Sequence, residues 1–348
     1  MRKYSIPQAL SVVAAACTAS LLLVAGPAQA ADKSVQLRFS SWVPAQHPLN
    51  PALVAWGESL KKASGGTLSA TLFPSQQLGK AFDHYDIARD GIADFAYVNP
   101  GYQPGRFPIF AGAALPFLMS NGKGGSAAVD AWYRNYAAKE MKDVKFCFAF
   151  VHDPGTFHSR KKIVMPSDVK GMKVRPAGES VARMVTLLGG TNVKSSAPEV
   201  REIIERGVAD AVTFPWGSIP LFGIDKVTKY HMDVPLYVTP FVWVMNQSKY
   251  DSLSAGQKKA VDSHCTTEWA EKVASNWADF EAGGHGKLAA LPGHEVYKLT
   301  APQLKAWREA VAPVEADWAK DVRDKAGEDP KAVMDSLRSE LQKRKAAL

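Results

Sequence analysis

Arg175 closes a short alternating segment, Lys173-Val174-Arg175, directly ahead of a Pro-Ala-Gly turn at residues 176–178. A guanidinium at a strand end faces the crevice where an α/β sheet releases its loops. Its planar fork matches a carboxylate with two parallel hydrogen bonds, a geometry lysine cannot reproduce. The chemistry on offer is anion capture. A strand-end arginine in a solvated surface ion pair has the same local sequence and contributes little, so the surroundings of Arg175 decide between the two. Patterns for covalent chemistry are missing: the chain has no G-x-S-x-G elbow, H-E-x-x-H pair, glycine-rich dinucleotide fingerprint or P-loop. "GGHGK" at 283–287 has the wrong spacing for a phosphate loop and reads as the stop of a long helix. Asp83, His84, Tyr85 and Asp86 are consecutive, which on a helix spreads them around the axis. The expectation is binding without catalytic residues, metal or cofactor.

The elements that must position Arg175 alternate between strand and helix. "VQLRFSSWV" reads as a strand, residues 51–64 as an amphipathic helix ending at Gly65-Gly66, and "TLSATLFP" as the next strand. "GKAFDHYDIARDGIADFAYVNPG" gives helix, glycine stop, strand. This β-α-β-α order predicts an α/β sheet with mostly parallel strands. A second such unit starts after "VKFCFAFVHDPGTFHSRKKI" and runs through the Arg175 strand, a helix from about Ser180, the helix "APEVREIIERG" and the strand "ADAVTFP". A long β segment follows in "HMDVPLYVTPFVWVMNQSKY", then a helical stretch over 255–291 long enough to cross between domains, and two amphipathic tail helices. The fold class is α/β in two domains, with 31–154 plus 240–280 forming the first and 155–239 plus 281–348 the second.

Arg2 and Lys3 precede an apolar stretch from Ala9 to Val24, and Ala28-Gln29-Ala30 offers the small residues a signal peptidase reads. Residues 1–30 therefore read as a signal peptide cleaved after Ala30, which directs the chain to the periplasm. Export removes two positive charges and lowers the formal net charge from +8 to +6. Basic residues are scattered apart from the tail "LQKRKAAL", so no nucleic-acid partner is expected, and a monomer is. Of three cysteines, Cys147 and Cys265 survive export. One disulfide is possible, although nothing local brings them together.

Six segments in order, "LFPSQQLG" (72–79), "RDGIADFAYV" (89–98), "ALPFL" (114–118), "SDVKGMKVR" (167–175), "PEVREIIERGVAD" (198–210) and "NQSKYDSLSAGQKKAV" (246–261), resemble the solute-binding subunits of tripartite ATP-independent periplasmic (TRAP) transporters of the C4-dicarboxylate type. The likeness covers nearly all of residues 35–340. It implies two α/β domains joined by crossing strands and a long helix, closing over a small organic acid. It also implies that Arg175 clamps the ligand carboxylate, and that the partners are the small and large membrane permease subunits.

Departures from the family pattern bear on the ligand. Where many members carry a second arginine after a Gly-Thr, Gly155-Thr156 is followed by Phe157; where many carry "QENP", this chain has "VTFP" with Phe214; the first strand offers Trp42. With fewer polar contacts a sugar acid would leave oxygens unsatisfied, at about 1 to 3 kcal/mol each. Trp42, Phe157 and Phe214, with Trp216, Tyr102 and Phe241, supply flat apolar surface. The expected ligand is a hydrophobic or aromatic monocarboxylate or keto acid, with Asn99, His158 and Thr213 as candidates for a distal oxygen. Two alternatives stand beside it. A C4-dicarboxylate would need a second cation such as Arg106, Arg160 or Lys161 in the cleft, and the chain could instead present its ligand to a membrane sensor.

Overall fold

Each of two sheets carries one strand that runs against its neighbours, and those two strands mark where the chain crosses between lobes. The computed structural model describes residues 32–348; the expected signal segment and its cleavage site lie outside them. The strands are β1 (Val35–Ser40), β2 (Leu68–Phe73), β3 (Phe95–Val98), β4 (Val144–Val151), β5 (Thr156–Ser159), β6 (Lys173–Arg175), β7 (Thr191–Asn192), β8 (Ala211–Phe214), β9 (Tyr230–Met232), β10 (Pro240–Asn246) and β11 (Glu295–Tyr297). The first sheet has the order β2-β1-β3-β10-β4 and the second β11-β9-β5-β8-β6-β7. β10 is antiparallel to β3 and β4, and β5 to β8 and β9. The remaining pairings are parallel.

Near-continuous apolar strands fill the middle of the first sheet. All seven residues of β10, "PFVWVMN", are buried, as a strand covered on both faces requires. Phe39, Trp56, Phe95 and Trp243 lock that core through tilted, edge-on and stacked rings with centroids 5.1 to 5.5 Å apart.

The two crossings, residues 152–155 and 233–239, are bonded to each other. Gly155 N donates to Tyr237 O (2.8 Å), Leu236 N donates to Gly155 O (3.1 Å), and Thr239 N donates to His152 Nε2 (3.0 Å). Gly155 is required by close approach, because a Cβ there would meet Phe214 O at 2.7 Å.

The long helical stretch differs from the sequence expectation in two places. It is two helices, Ala255–His264 and Thr267–Ala289, because Thr266 caps the second by accepting from Trp269 N. "GGHGK" does not stop the second helix, which continues to Ala289. Gly284 sits where this helix meets the backbone of Trp216-Gly217, and a Cβ would lie 2.1 Å from Gly217 N. Packing there outweighs the helix cost of about 1 kcal/mol per glycine. The helix packs on β4 and the helix Leu49–Ala63 of the first lobe, and on β11 and the helix Ser218–Leu221 of the second.

The tail also departs from the expected boundary. The last helix, Pro330–Lys343, packs on the helix Gly122–Tyr133 of the first lobe, and Trp132 Nε1 donates to Val333 O at 3.0 Å. The helix Ala301–Val311 stays with the second lobe, where Trp307 Nε1 donates to Val164 O. The tail thus straps both lobes.

Cys147 in β4 and Cys265 at the helix break form a disulfide that spans 118 positions. The chain could not advertise this pairing locally, since it depends on the helix break folding back over β4. Closing so long a loop restricts the unfolded chain. Replacing both cysteines by alanine is expected to lower the unfolding free energy by at most about 5 kcal/mol. The check is a urea titration of variant and parent, and an unchanged midpoint would refute the contribution.

Candidate functional site

β6 is held between β7 and β8, with Val174 opposite Ala211 and Arg175 opposite Val212. Arg175 therefore leaves the carboxyl end of an interior strand, and its side chain is 1% exposed. Nε donates to Ser195 O (2.9 Å) and Nη2 to the Tyr102 hydroxyl (2.8 Å). The guanidinium carbon lies 5.6 Å from the Phe214 ring centroid and 5.9 Å from that of Tyr102. Among the described residues no carboxylate oxygen comes within 4.0 Å of it. A buried cation without a counter-ion costs several kcal/mol, and most of the five guanidinium N–H groups still need acceptors. A buried cation with spare N–H donors is chemically suited to an anionic partner.

Beside Arg175 lies a cavity with about 350 Å³ of space unoccupied by protein atoms, part of it open to solvent. Its wall closes into a circuit of side chains. From Arg175 one arc runs through Tyr102, Trp42 (6.0 Å from Tyr102), Phe241 (6.3 Å) and Trp277 (5.3 Å) to His47 (5.0 Å). The other returns from His47 through Phe222 (6.2 Å) and Phe214 (5.4 Å) to Arg175. Arg175 and His47 stand apart on this circuit, with rings between them on both sides.

Apart from Arg175 the wall is electrically quiet. Burial pushes His47 down to about 3, helped by nearby His152, and burial pushes His152 down to about 4. Both rings are neutral at ordinary pH. His152 is also satisfied, accepting from Thr239 N and facing Asp153 O through Nδ1.

Five of the residues singled out from sequence besides Arg175 line this cavity: Trp42, Asn99, Tyr102, Phe214 and Phe241. Asn99 does so with its amide already engaged, Nδ2 donating to Ala177 O (3.2 Å) and Oδ1 accepting from Gly101 N (3.0 Å). It ties the end of β3 to the loop after β6. Four residues lie elsewhere. Phe157 is a correction: it sits opposite Thr213 on β5 and packs in the core against Trp307, with centroids 5.7 Å apart. Alternation decides this, since neighbours along β5 point to opposite faces. His158 is buried behind the wall, with Nε2 facing Phe214 O (3.1 Å) and Nδ1 facing His231 Nδ1 (2.8 Å). A carbonyl only accepts, so His158 carries its proton on Nε2 and Nδ1 receives one from His231. Thr213 is used by Ala177 N, which donates to its hydroxyl, and Trp216 packs edge-on to His158.

His47, His152, Phe222, Tyr237, Thr239 and Trp277 were not visible from sequence as wall residues. Tyr237 and Thr239 belong to a crossing segment, a location the strand alternation did not reveal. His47 beside Pro48 carried a signal only as a histidine in a loop at the end of the first strand.

The family described as bacterial extracellular solute-binding protein, family 7 (DctP), matches residues 39–321. Among solved structures, a TRAP solute-binding protein from Rhodoferax ferrireducens T118, in complex with copurified benzoate, is 28% identical, with TM-score 0.84 over 90% of this chain and 99% of its own. A marine-metagenome TRAP protein specific for aromatic acid ligands, in complex with metahydroxyphenylacetate, is 31% identical, with TM-score 0.83 over 89% and 99%. One from Bordetella bronchiseptica with bound (R)- and (S)-mandelate is 29% identical, with TM-score 0.83 over 89% and 99%.

Proposed function

The chain belongs to bacterial extracellular solute-binding protein family 7, the solute-binding proteins of TRAP transporters, and from that premise we propose that it captures an aromatic monocarboxylate in the Arg175 cavity for delivery to a membrane permease. The observation that carries this reading is a buried guanidinium with no counter-ion among the described residues, in a largely aromatic, otherwise neutral cavity. Relatives crystallised with benzoate, metahydroxyphenylacetate and mandelate support the choice of acid.

Binding divides into two terms. The carboxylate bonds to Arg175 and to the hydroxyl proton of Tyr102, whose oxygen already accepts from Arg175 Nη2 and Ala197 N. The ring enters the aromatic wall. A ring of on the order of 150 Å², fully buried, contributes about 4 kcal/mol; the charge pair fixes orientation and excludes neutral analogues. A C4-dicarboxylate is disfavoured because its second carboxylate finds no cation on the wall. Arg106 is tied to Asp86 (2.8 Å), and Arg160 and Lys161 are exposed.

Wall residues come from both lobes: Trp42, Tyr102 and Phe241 with the first sheet, Arg175 and Phe214 with the second. A bound acid touches both and favours the closed arrangement over an open one by that differential contact. The crossings at 152–155 and 233–239 serve as the hinge. The protein makes and breaks no covalent bond of its ligand. Export through a signal cleaved after Ala30 and docking of the closed form on the small and large permease subunits complete the proposed role.

Isothermal titration calorimetry of the mature protein against aromatic monocarboxylates, keto acids, C4-dicarboxylates and sugar acids tests the reading. Aromatic acids are expected to bind, Arg175→Ala to weaken them at least about 100-fold, and Arg175→Lys about 10- to 100-fold through loss of the fork. Response to dicarboxylates or sugar acids alone would overturn it. Because His47 and His152 are held neutral by folded values of about 3 and 4, no wall charge changes between about pH 5.5 and 8. Affinity for a fully ionised acid is expected to vary by less than about twofold across that range. A marked weakening as pH rises through the ordinary histidine range would instead reveal an imidazolium in the site.

A further inference from the structure

Separated from Arg175 by rings on both sides of the wall, His47 is a polar group whose state the geometry fixes. His47 lies in the loop after β1, immediately before Pro48, which caps the helix Leu49–Ala63. Its Nδ1 accepts the Leu49 backbone N–H at 3.2 Å, so that nitrogen carries no proton. A neutral imidazole then bears its hydrogen on Nε2, at the ring tip away from the helix terminus. Among the described residues Leu49 N is the one hydrogen-bond partner of this ring. The ring lines the cavity, 1% exposed, standing edge-on between Trp277 (5.0 Å, 70°) and Phe222 (6.2 Å, 63°).

The rest of the wall leaves little else to meet a polar substituent. Asn99 is committed to Ala177 and Gly101, His152 to Thr239 and Asp153, and Ser218 to Glu281, which also accepts from Trp277 Nε1. Trp42 Nε1 has no partner, and it too is a donor. The Tyr237 hydroxyl on the wall also has no partner among the described residues and can donate or accept, so the uncommitted groups at hand are two N–H donors and one hydroxyl, and an oxygen that accepts is the substituent they meet best.

We infer that His47 is the specificity-determining residue of this cavity: its Nε2–H donates to a neutral oxygen, as hydroxyl, methoxy or keto, on the ring of an aromatic monocarboxylate held at its other end by Arg175. This rests on the monocarboxylate reading of the site and adds which acid it selects. An oxygen-bearing ring satisfies His47, whereas a methyl group of similar size leaves the N–H buried without an acceptor. An amino substituent is a poor match, because its strong groups on an aromatic ring are donors. A second carboxylate would bring charge into a pocket that disfavours it, opposite a neutral ring.

Calorimetry on the wild-type mature protein compares benzoate, the hydroxybenzoate isomers, the matching toluates and the matching aminobenzoates. At least one hydroxybenzoate is expected to bind about tenfold or more tighter than its methyl isostere, a factor that corresponds to one satisfied hydrogen bond. His47→Phe is expected to reduce that ratio to within about threefold. His47→Gln, which can accept from Leu49 N through its carbonyl and donate through its amide, is expected to restore part of the ratio. The wild-type comparison needs no variant, so a His47→Phe protein that failed to fold would leave the ligand ratio and His47→Gln as tests. A toluate binding as tightly as every hydroxybenzoate, or a ratio preserved in His47→Phe, overturns the assignment while the Arg175 reading stands. Failure of all aromatic acids to bind overturns both together.

Discussion

A guanidinium buried without a counter-ion is a constraint the surrounding structure has to support. Arg175 is 1% exposed and, among the described residues, bonds only to a backbone carbonyl and a tyrosine hydroxyl. Burying an unpaired charge is costly, so its position must be over-determined. β6 lies between two parallel neighbours, Ser195 O holds Nε, and Tyr102 reaches across from the other lobe to hold Nη2. The last contact also means the arginine already links the two lobes. In the proposed function the cost of burial is met when an acid supplies the missing charge, and that difference would couple ligand binding to closure.

The same logic explains how the wall is held rigid from behind. Phe214 presents its ring to Arg175, while its carbonyl is bonded by His158, which is in turn bonded to His231 and through it to His294. Burial lowers His158 well below the ordinary histidine value and holds His231 down at about 4. Neutral rings can alternate donor and acceptor along this row. At the hinge, His152 plays a similar part by joining the two crossing segments. His152 and His158 thus position backbone, and of the two histidines lining the cavity His47 is the one with a ring nitrogen uncommitted among the described residues.

How much of this was legible in the chain depends on how local each cause is. The α/β alternation and the strand-end arginine were readable because they follow from periodicity and turn residues within short windows. Phe214 and Phe157 show the limit: both align with polar positions of relatives, yet only Phe214 reaches the cavity, because the pleat of β5 turns Phe157 toward Trp307. "GGHGK" reads as a stop by propensity, and only the approach of Gly217 from a distant loop explains why glycine is needed inside a continuing helix. Cys265 meets Cys147 because the helix breaks at Thr266 over β4. His47 becomes a wall residue through Trp277 and Phe222, each far away in sequence. Its tautomer depends on a backbone N–H two residues on.

The central claim is that the cavity exists to neutralise Arg175 with a ligand's negative charge. Calorimetric titration of the wild-type protein with benzoate and with benzamide, its neutral isostere, isolates that charge while keeping the ring and its burial the same. The account predicts that benzamide binds at least about 100-fold more weakly than benzoate. Equal affinities would contradict it, because the aromatic wall alone would then account for binding and the buried arginine would serve only the fold.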